Sequence, residues 1–466
     1  MIKRLAKFAI GVAAFAGLAA CAAKPPSIFQ DALRDRPQEI VPRPPLPGYG
    51  SAVAKQRIPW TVHSLTADFI ELNFESEGGH VYDRLLRWGG DVKIGYVGAE
   101  LAAYEPDIAS LISLLNAAAP GLNASLAPPG EADIVIRTAP RAEMVALAQT
   151  ALCFFTPVNL DWEAFKEADA KGLANWSDVE QLEEITIFIP AYAAPHTFRI
   201  CFVEEIMQAL GPGNDLYRLE DSGFNDDEVH KAPTAFDLLM IRTLYDDAMK
   251  PGMTRSQARV AAGDAIGRFL ANEGVRPFAK RRPISRFDEE YQRYHYASDA
   301  IEDPEDRKAV IDYALEVARK FGEDDHRLGE ALRSAAYYES DYGELTQAID
   351  LAEAAVEHFE RTLAPDAARL ARMRSDLAYF LILNQDFELA IPLLEASESV
   401  LAAHAMDAEY ASALRLRALA LASVGEPVEA RRAARRALAW AAYVFGGDAD
   451  GLSRWRKEFK DFDIAV

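Results

Sequence analysis

A short predicted helix carries polar side chains at a spacing that could hold a metal ion. Glu204 and Gln208 are four residues apart, so a helix would place them on one face, where two side chains can reach one ion. Gly211 lets the chain leave the helix and swing Asn214 round toward the same point. Glu205 is the acidic residue next to Glu204. The spacing is compatible with a shared ion and does not by itself assign a reaction.

The residue types at these positions argue against a working metal site. Zinc in proteins is held by Cys, His or carboxylate groups, and among the three ligand positions only Glu204 offers one. Gln208 and Asn214 carry neutral amides, which are weak zinc ligands. Without a metal no bound water has its pKa lowered, so Glu205 has nothing to activate. We therefore expect no zinc and no other cofactor.

The stretch EEIMQALGPGND at residues 204–215 is similar to the metzincin zinc-protease signature H-E-x-x-H-x-x-G-x-x-H. The resemblance puts Glu204, Gln208 and Asn214 at the three histidine positions. It puts Glu205 at the position of the catalytic glutamate. What it implies is the architecture of a metal-binding domain whose metal ligands have been replaced.

The resemblance continues downstream and covers roughly residues 90–250. SGFND (222–226) lies where metzincins carry a turn with a methionine beneath the metal, and Phe224 takes the place of that methionine. TAFDLLMIRTLYDD (234–247) is similar to their closing helix. Closer still, these segments resemble a bacterial domain-of-unknown-function family with a metzincin-like motif that typically lacks the histidines. The implied fold is an α+β domain with a mixed twisted sheet and an active-site-type helix.

Several alternatives for these polar groups stay open. Glu205 and Gln208 could simply be hydrogen-bonded to neighbouring backbone, or the cleft could bind a peptide or cell-wall fragment without cleaving it. A rebuilt metal site would draw on the other histidines of this domain, His63, His80, His196 and His230. A carboxylate-driven glycan hydrolase would use acidic groups. The acidic candidates are Glu204, Glu205, Asp221, Asp226, Asp227 and Glu228. Adjacent glutamates on a helix point about 100° apart, which weighs against that pair.

Composition excludes one class of partner. The chain has 466 residues and a net charge of −22, and a nucleic-acid partner would require a basic surface. Half of the residues are hydrophobic, enough for more than one core.

The N-terminus resembles a bacterial lipoprotein signal. A basic segment is followed by a short apolar run and by Leu-Ala-Ala-Cys, which ends at Cys21. The resemblance implies removal of residues 1–20 and lipidation of Cys21, which would hold the protein on a bilayer. Ala22 after the cysteine favours the outer membrane, with the protein exported and facing the periplasm. Because that compartment is oxidising, Cys153 and Cys201 are predicted to form a disulfide.

The rest of the chain divides into a tether and two folded parts. Residues 21–58 are rich in proline and predict an extended tether. Residues 59–280 alternate strand and helix patterns, for example ADIVIRTAP at 132–140. Residues 284–466 lack strand patterns and predict an all-α domain.

That all-α domain contains internal repeats. Ala336 recurs as Ala378 at an offset of 42 residues, and a fainter copy places Ala418 a further 40 residues on. The region resembles tetratricopeptide repeats of a longer period, which implies a protein or peptide partner. The predicted function is therefore that of a membrane-anchored binding or scaffold protein. The alternative is a hydrolase, either a metallopeptidase with atypical ligands or a cell-wall glycan hydrolase.

Replacement of Cys21 by alanine should abolish lipidation. When cells are labelled with a fatty-acid analogue, the wild-type chain should carry the label and Cys21→Ala should not, because the acylated thiol is gone. Equal labelling of the two proteins would show that the anchor is elsewhere or absent.

Overall fold

The structure is a computed structural model, and it describes residues 58–76, 79–148, 152–225, 229–272, 287–301, 303–322, 325–445 and 449–466. The predicted signal peptide, Cys21 and the tether up to residue 57 lie outside the described residues, as do Asp226, Asp227 and Glu228. Within the described ranges, no helix combines the length and the apolar character that crossing a membrane requires.

A five-stranded mixed sheet forms the centre of the first domain. The strands are β1 (Val92–Tyr96), β2 (Ala124–Leu126), β3 (Ile134–Ala139), β4 (Phe154–Thr156) and β5 (Ile185–Pro190), in the order β2-β1-β3-β5-β4. All pairs are parallel except β4 with β5, which places an antiparallel strand at one edge. The interior strand β5, between β3 and β4, is buried along its whole length, as expected of an apolar strand covered on both faces.

Helices cover this sheet. They are α1 (Val62–Phe74), α2 (Ala99–Ala102), α3 (Glu105–Ala118), α4 (Arg141–Ala148), α5 (Trp162–Asp169), α6 (Pro195–Ala209), α7 (Ala235–Leu244) and α8 (Arg255–Asn272), with a 3-10 turn at Trp176–Asp178. α6 is the helix singled out in the sequence, and Pro195 opens its first turn, where a missing N–H costs nothing. Ile200, Val203 and Met207 of α6 and Leu210 just after it are buried.

The second part of the chain is entirely helical among its described residues. Its helices are α9 (Asp288–Ala300), α10 (Pro304–Ala318), α11 (Arg327–Tyr342), α12 (Leu345–Thr362), α13 (Ala368–Leu383), α14 (Phe387–Ala403), α15 (Asp407–Ser423), α16 (Pro427–Val444) and α17 (Ala449–Asp461). Helices that are consecutive in the chain pack on one another. The prediction of an α/β domain followed by a helical-repeat domain is confirmed at this level.

Alanines at equivalent repeat positions are fully buried among the packed helices. Ala336, Ala378 and Ala418 are each 0% exposed, in α11, α13 and α15. A larger side chain at these positions would have to displace the neighbouring helix, because protein interiors are close-packed. The repeated alanines thus set the spacing between helices.

Enlarging one of these alanines should destabilise the repeat domain. Ala378→Leu should lower its free energy of unfolding by about 1–3 kcal/mol through overpacking. Ala354→Leu, at an exposed position of α12, is the matched control and should change it by less than about 0.5 kcal/mol. Urea unfolding followed by helical circular dichroism measures both, and equal effects would contradict the role of Ala378 in helix spacing.

Candidate functional site

The chain reverses direction directly after α6, at Gly211. This residue has φ 142°, a conformation that favours glycine. A Cβ atom here would lie 2.7 Å from Leu244 Cδ2 and 3.0 Å from the carbonyl oxygen of Leu86. Glycine is therefore required both by its conformation and by its surroundings. The reversal brings residues 214 and 215 back beside the end of α6.

The amides at two of the three predicted ligand positions are engaged within the protein. Gln208 Nε2 donates a hydrogen bond of 2.9 Å to Asp215 Oδ2. Asn214 Nδ2 donates one of 3.2 Å to the backbone carbonyl of Glu71, in α1. Both side chains are almost fully buried. The two amide nitrogens thus bind different acceptors on different elements, so these residues do not fit a zinc ion held at positions 204, 208 and 214.

The two glutamates of α6 approach a cysteine. A carboxylate oxygen of Glu204, one of Glu205 and Cys153 Sγ all lie within 4.8 Å of one another. This corrects the expectation that adjacent glutamates diverge. Although their Cα–Cβ bonds point about 100° apart, the two long side chains bend toward the same sulfur. Glu205 is 1% exposed, which is rare for a glutamate.

Cys153 and Cys201 form a disulfide in the structure, with Cα atoms 5.9 Å apart. The bond joins the residue before β4 to the middle of α6, so it ties the antiparallel edge strand to the helix. Closing a loop with a sequence separation of 48 is worth about 4 kcal/mol in the chain-entropy view of disulfides. In this oxidised form neither sulfur is a thiolate, so neither is a zinc ligand.

The remaining histidines of the domain do not rebuild a metal site. Within the described parts of the chain, no histidine belongs to a group of three close potential ligands. His63 is exposed and the His80 ring packs against Tyr82. Burial, with Lys231 and Arg199 nearby, lowers the pKa of His196 to about 3. His230 contacts the backbone carbonyl of Glu220 through Nε2 at 3.1 Å.

Phe224 is fully buried in the same apolar core as α6. Its backbone carbonyl accepts a hydrogen bond of 2.9 Å from Leu216 N. Its neighbour Gly223 lies beside Met207 of α6, since a Cβ at Gly223 would be 3.6 Å from Met207 Cε. The turn at the predicted methionine position is therefore packed against α6.

Asp237, near the start of α7, organises this turn. Its carboxylate accepts hydrogen bonds from the Ser222 hydroxyl at 2.5 Å, from Gly223 N at 3.1 Å and from Thr234 N at 2.8 Å. Thr234 and Asp237 also form a capping box at the start of α7. Burial raises the pKa of Asp237 to about 6, although its hydrogen bonds act in the opposite direction.

A buried ion-pair network ties the returning chain to α1. Arg218 binds Asp68 at 2.9 Å and Glu71 at 2.7 Å. Burial raises the pKa of Glu71, and Arg218 opposes this. From the other side, the Tyr245 hydroxyl donates a hydrogen bond of 2.9 Å to the carbonyl oxygen of Leu210, at the end of α6. The end of α6 is thus held by Tyr245, just after α7, and the chain that follows it is held by α1.

The cavity beside α6 is small. It has a volume of about 20 Å³, and its polar lining residues include Glu204, Asn225, His230 and Lys231. Such a volume holds about one water molecule, not a peptide or a sugar ring. In this conformation the site has no room for a polymeric substrate.

The helical repeats contact the same region of the first domain. Glu220 is the centre of that contact: its carbonyl oxygen accepts a hydrogen bond of 3.2 Å from Arg369 Nε, and its carboxylate lies 3.3 Å from His326 Nδ1. α6 packs against α16, where the Arg199 guanidinium lies 5.9 Å from the centre of the Tyr443 ring. Val229 is part of the apolar core of the repeats.

A sequence family matches the part of the chain that contains this site. Residues 62–262 match the family described as "Protein of unknown function (DUF2927)". Residues 62–262 form a DUF2927 domain. No curated protein matches the chain.

Some solved structures are similar to part of the chain. One is BtubC (BKLC) from P. vanneervenii, at 15% identity and a TM-score of 0.30, covering 37% of this chain and 79% of that one. Another is a crystal structure of nearly identical TPR-like repeats of kinesin-light-chain type from Podosopora anserina. It has 14% identity and a TM-score of 0.28, and covers 38% of this chain and 92% of that one.

Sequence reasoning missed several residues that hold the DUF2927 site together. The Thr234-x-x-Asp237 spacing is a capping-box pattern and could have identified Asp237. No local sequence pattern could have identified Arg218 or Glu220, because their partners are distant in the chain. Asp68 is about 150 residues from Arg218, and the partners of Glu220 in the repeats are more than 100 residues from it. Asp221, expected in a solvated acidic loop, instead accepts a hydrogen bond of 2.8 Å from Trp60 Nε1.

Asp237→Asn should destabilise the DUF2927 domain in a pH-dependent way. The amide NH₂ cannot accept the bonds from Gly223 and Thr234, so we expect a loss of about 3 kcal/mol at pH 4. The raised pKa of Asp237 means that the folded wild type holds this proton more tightly than the unfolded chain does. The stabilisation of the folded wild type by this proton is complete below a pH near 4, which is the pKa of Asp237 in the unfolded chain. It is lost as the pH rises through 6, the pKa of Asp237 in the folded protein. The difference between wild type and variant should therefore shrink to less than about 1 kcal/mol at pH 7.

Urea unfolding of both proteins across pH 4–7 measures this difference. Asp264→Asn, on the exposed face of α8, is the control and should change the stability by less than about 0.5 kcal/mol. A wild-type advantage that grew with pH would contradict the assignment.

Proposed function

We propose that the protein is a binding or scaffold lipoprotein that faces the periplasm. In this proposal the DUF2927 domain is metzincin-like but has no working zinc site, and the helical repeats bind a partner protein. The observation that carries it is the engagement of Gln208 and Asn214 with Asp215 and the Glu71 carbonyl. At these two positions the side chains stabilise the fold, where a metalloprotease would need ligands.

The metzincin-like part of the proposal is supported by the order and packing of the elements. A mixed sheet precedes a buried helix, the chain leaves that helix at a glycine, and a turn containing Phe224 packs beneath it. α7 then closes the domain through Asp237. These are the features on which the sequence resemblance rests, and they occur in the same order.

Binding by the repeats is supported by their exposed apolar side chains. Tyr342, Leu383, Leu389 and Val428 are 51%, 46%, 61% and 53% exposed. They lie at the turns between α11 and α12, α13 and α14, and α15 and α16. The contacts to the first domain come from the opposite ends of α11 and α13, about 24 Å away along a helix of 16 residues. This distal edge is therefore available to a partner, and exposed apolar clusters favour a protein partner.

Membrane attachment rests on the sequence around Cys21, and the length of residues 21–58 would allow the folded part to stand off the bilayer. The proposed location is the periplasmic face of the outer membrane.

A hydrolase is the second candidate, favoured by one observation. The carboxylates of Glu204 and Glu205 lie within 4.8 Å of each other, and Glu204 lines the cavity; a pair of carboxylates is the machinery of glycan hydrolysis. The size of the cavity opposes it, because about 20 Å³ does not admit a sugar ring.

Metal analysis of the unreduced, purified protein separates the two candidates. We expect less than about 0.1 equivalent of zinc, because the amides at 208 and 214 are poor ligands. One tightly held equivalent that is lost in Glu205→Gln would contradict the proposal. Digestion assays with peptides and with peptidoglycan should both be negative for the wild type, and turnover abolished by Glu205→Gln would support the hydrolase.

Crosslinked capture from cells tests the scaffold role. The double variant Leu383→Glu/Leu389→Glu places charges on the distal edge and should reduce the amount of captured partner at least tenfold. Val260→Glu changes an equally exposed residue of α8 and is the control. Equal capture by all three proteins would exclude this edge of the repeats as the binding surface.

A further inference from the structure

We propose that reduction of the Cys153–Cys201 disulfide creates a metal site that the oxidised protein lacks. Its ligands would be the two cysteine sulfurs and the carboxylates of Glu204 and Glu205. A set of two thiolates and two carboxylates suits a thiophilic divalent cation such as Zn²⁺. The site is distinct from the predicted ligand positions 208 and 214, whose amides are engaged elsewhere.

The distances favour a single shared ion. Zinc binds sulfur at about 2.3 Å and carboxylate oxygen at about 2.0–2.2 Å, so neighbouring ligands of one tetrahedral ion are about 3.3–3.8 Å apart. The Cys153 sulfur and one oxygen from each glutamate already lie within 4.8 Å of one another. Shortening these distances by about 1–1.5 Å, through side-chain torsions of the two glutamates and the release of the disulfide, would bring all three within range.

The fourth ligand comes from the helix that carries the glutamates. Cys201 precedes Glu204 by three residues and Glu205 by four, and this is the spacing of neighbours on one helix face. Its sulfur is bonded to that of Cys153, so both sulfurs start from the same place. Reduction lets them separate to the distance that two thiolates adopt around one metal ion.

The surroundings suit a metal ion. Cys153, Cys201 and Glu205 are 3%, 0% and 1% exposed, so bulk water does not compete for the ion. Zinc with two thiolates and two carboxylates carries a net charge of −2. Lys231 lines the cavity that Cys153 and Glu204 also line, which places a compensating cation close by.

The chemistry balances with a dithiol as reductant. The dithiol transfers two electrons and two protons to the Cys153–Cys201 bond, which becomes two thiols, and the reductant leaves as its own disulfide. Zn²⁺ then displaces the two thiol protons, so each ion bound releases two protons to solvent. Oxidation reverses the sequence and expels the ion.

Cobalt titration of the full-length chain carrying Cys21→Ala tests the proposal, since Cys153 and Cys201 are then the only cysteines. The protein is reduced with a phosphine, which takes up the oxygen of water as it is oxidised and does not compete for the metal as a thiol would. We expect one Co²⁺ per reduced chain, with the charge-transfer absorption of thiolate ligands, and displacement by Zn²⁺. The unreduced chain should bind none at the same concentration.

Variants identify the ligands. Glu205→Gln should weaken binding at least tenfold, Cys153→Ala/Cys201→Ala should abolish the charge-transfer band, and Glu131→Gln, an exposed control, should change neither. Absence of binding, equal binding by the cysteine-free variant, or loss of helical circular dichroism on reduction would each overturn the proposal. Metal in the unreduced protein would instead count against the proposed function, so the two failures are distinguishable.

Discussion

The reversal of the chain at Gly211 is the constraint on which the rest of the site depends. Leu244 and the Leu86 carbonyl leave no space for a side chain there, so the turn is possible only with glycine. Because the chain turns back at once, Asp215 meets Gln208 and Asn214 reaches α1. The same turn directs residues 216–225 beneath α6 and then toward the repeats. A different exit from α6 would separate every polar contact described above.

This geometry explains why amides are suitable at positions 208 and 214. A buried polar side chain that loses its partner costs about 1–3 kcal/mol, so each amide must be satisfied where it lies. Gln208 and Asn214 achieve this with one carboxylate and one backbone carbonyl. The closure of the chain onto α6 and α1 is therefore made of hydrogen bonds within the chain.

The sequence predicted what depends on local pattern and missed what depends on distant contacts. Sequence pattern located β3, α6 and the repeat alanines, because a buried strand requires apolar residues in succession and a close helix pair requires small residues at regular spacing. The three-residue strands β2 and β4 are too short for any period to appear. At the site, the spacing of positions 204, 208 and 214 could be read from the sequence. The approach of Cys153 to Glu204 and Glu205 could not, because it arises only when β4 packs beside α6.

The polar contacts of Glu220 link the first domain to the helical repeats. Arg369 is 1% exposed and binds both the Glu220 carbonyl and, at 2.9 Å, the carboxylate of Glu330 within the repeats. Separating the domains would leave that guanidinium with one acceptor fewer and would expose Val229 from the repeat core. A hydrogen bond to a charged group contributes about 1.5–3 kcal/mol, so the bond from Arg369 helps to hold the repeats on the loop that follows α6. Rearrangement of that loop would therefore disturb its contacts with the repeats.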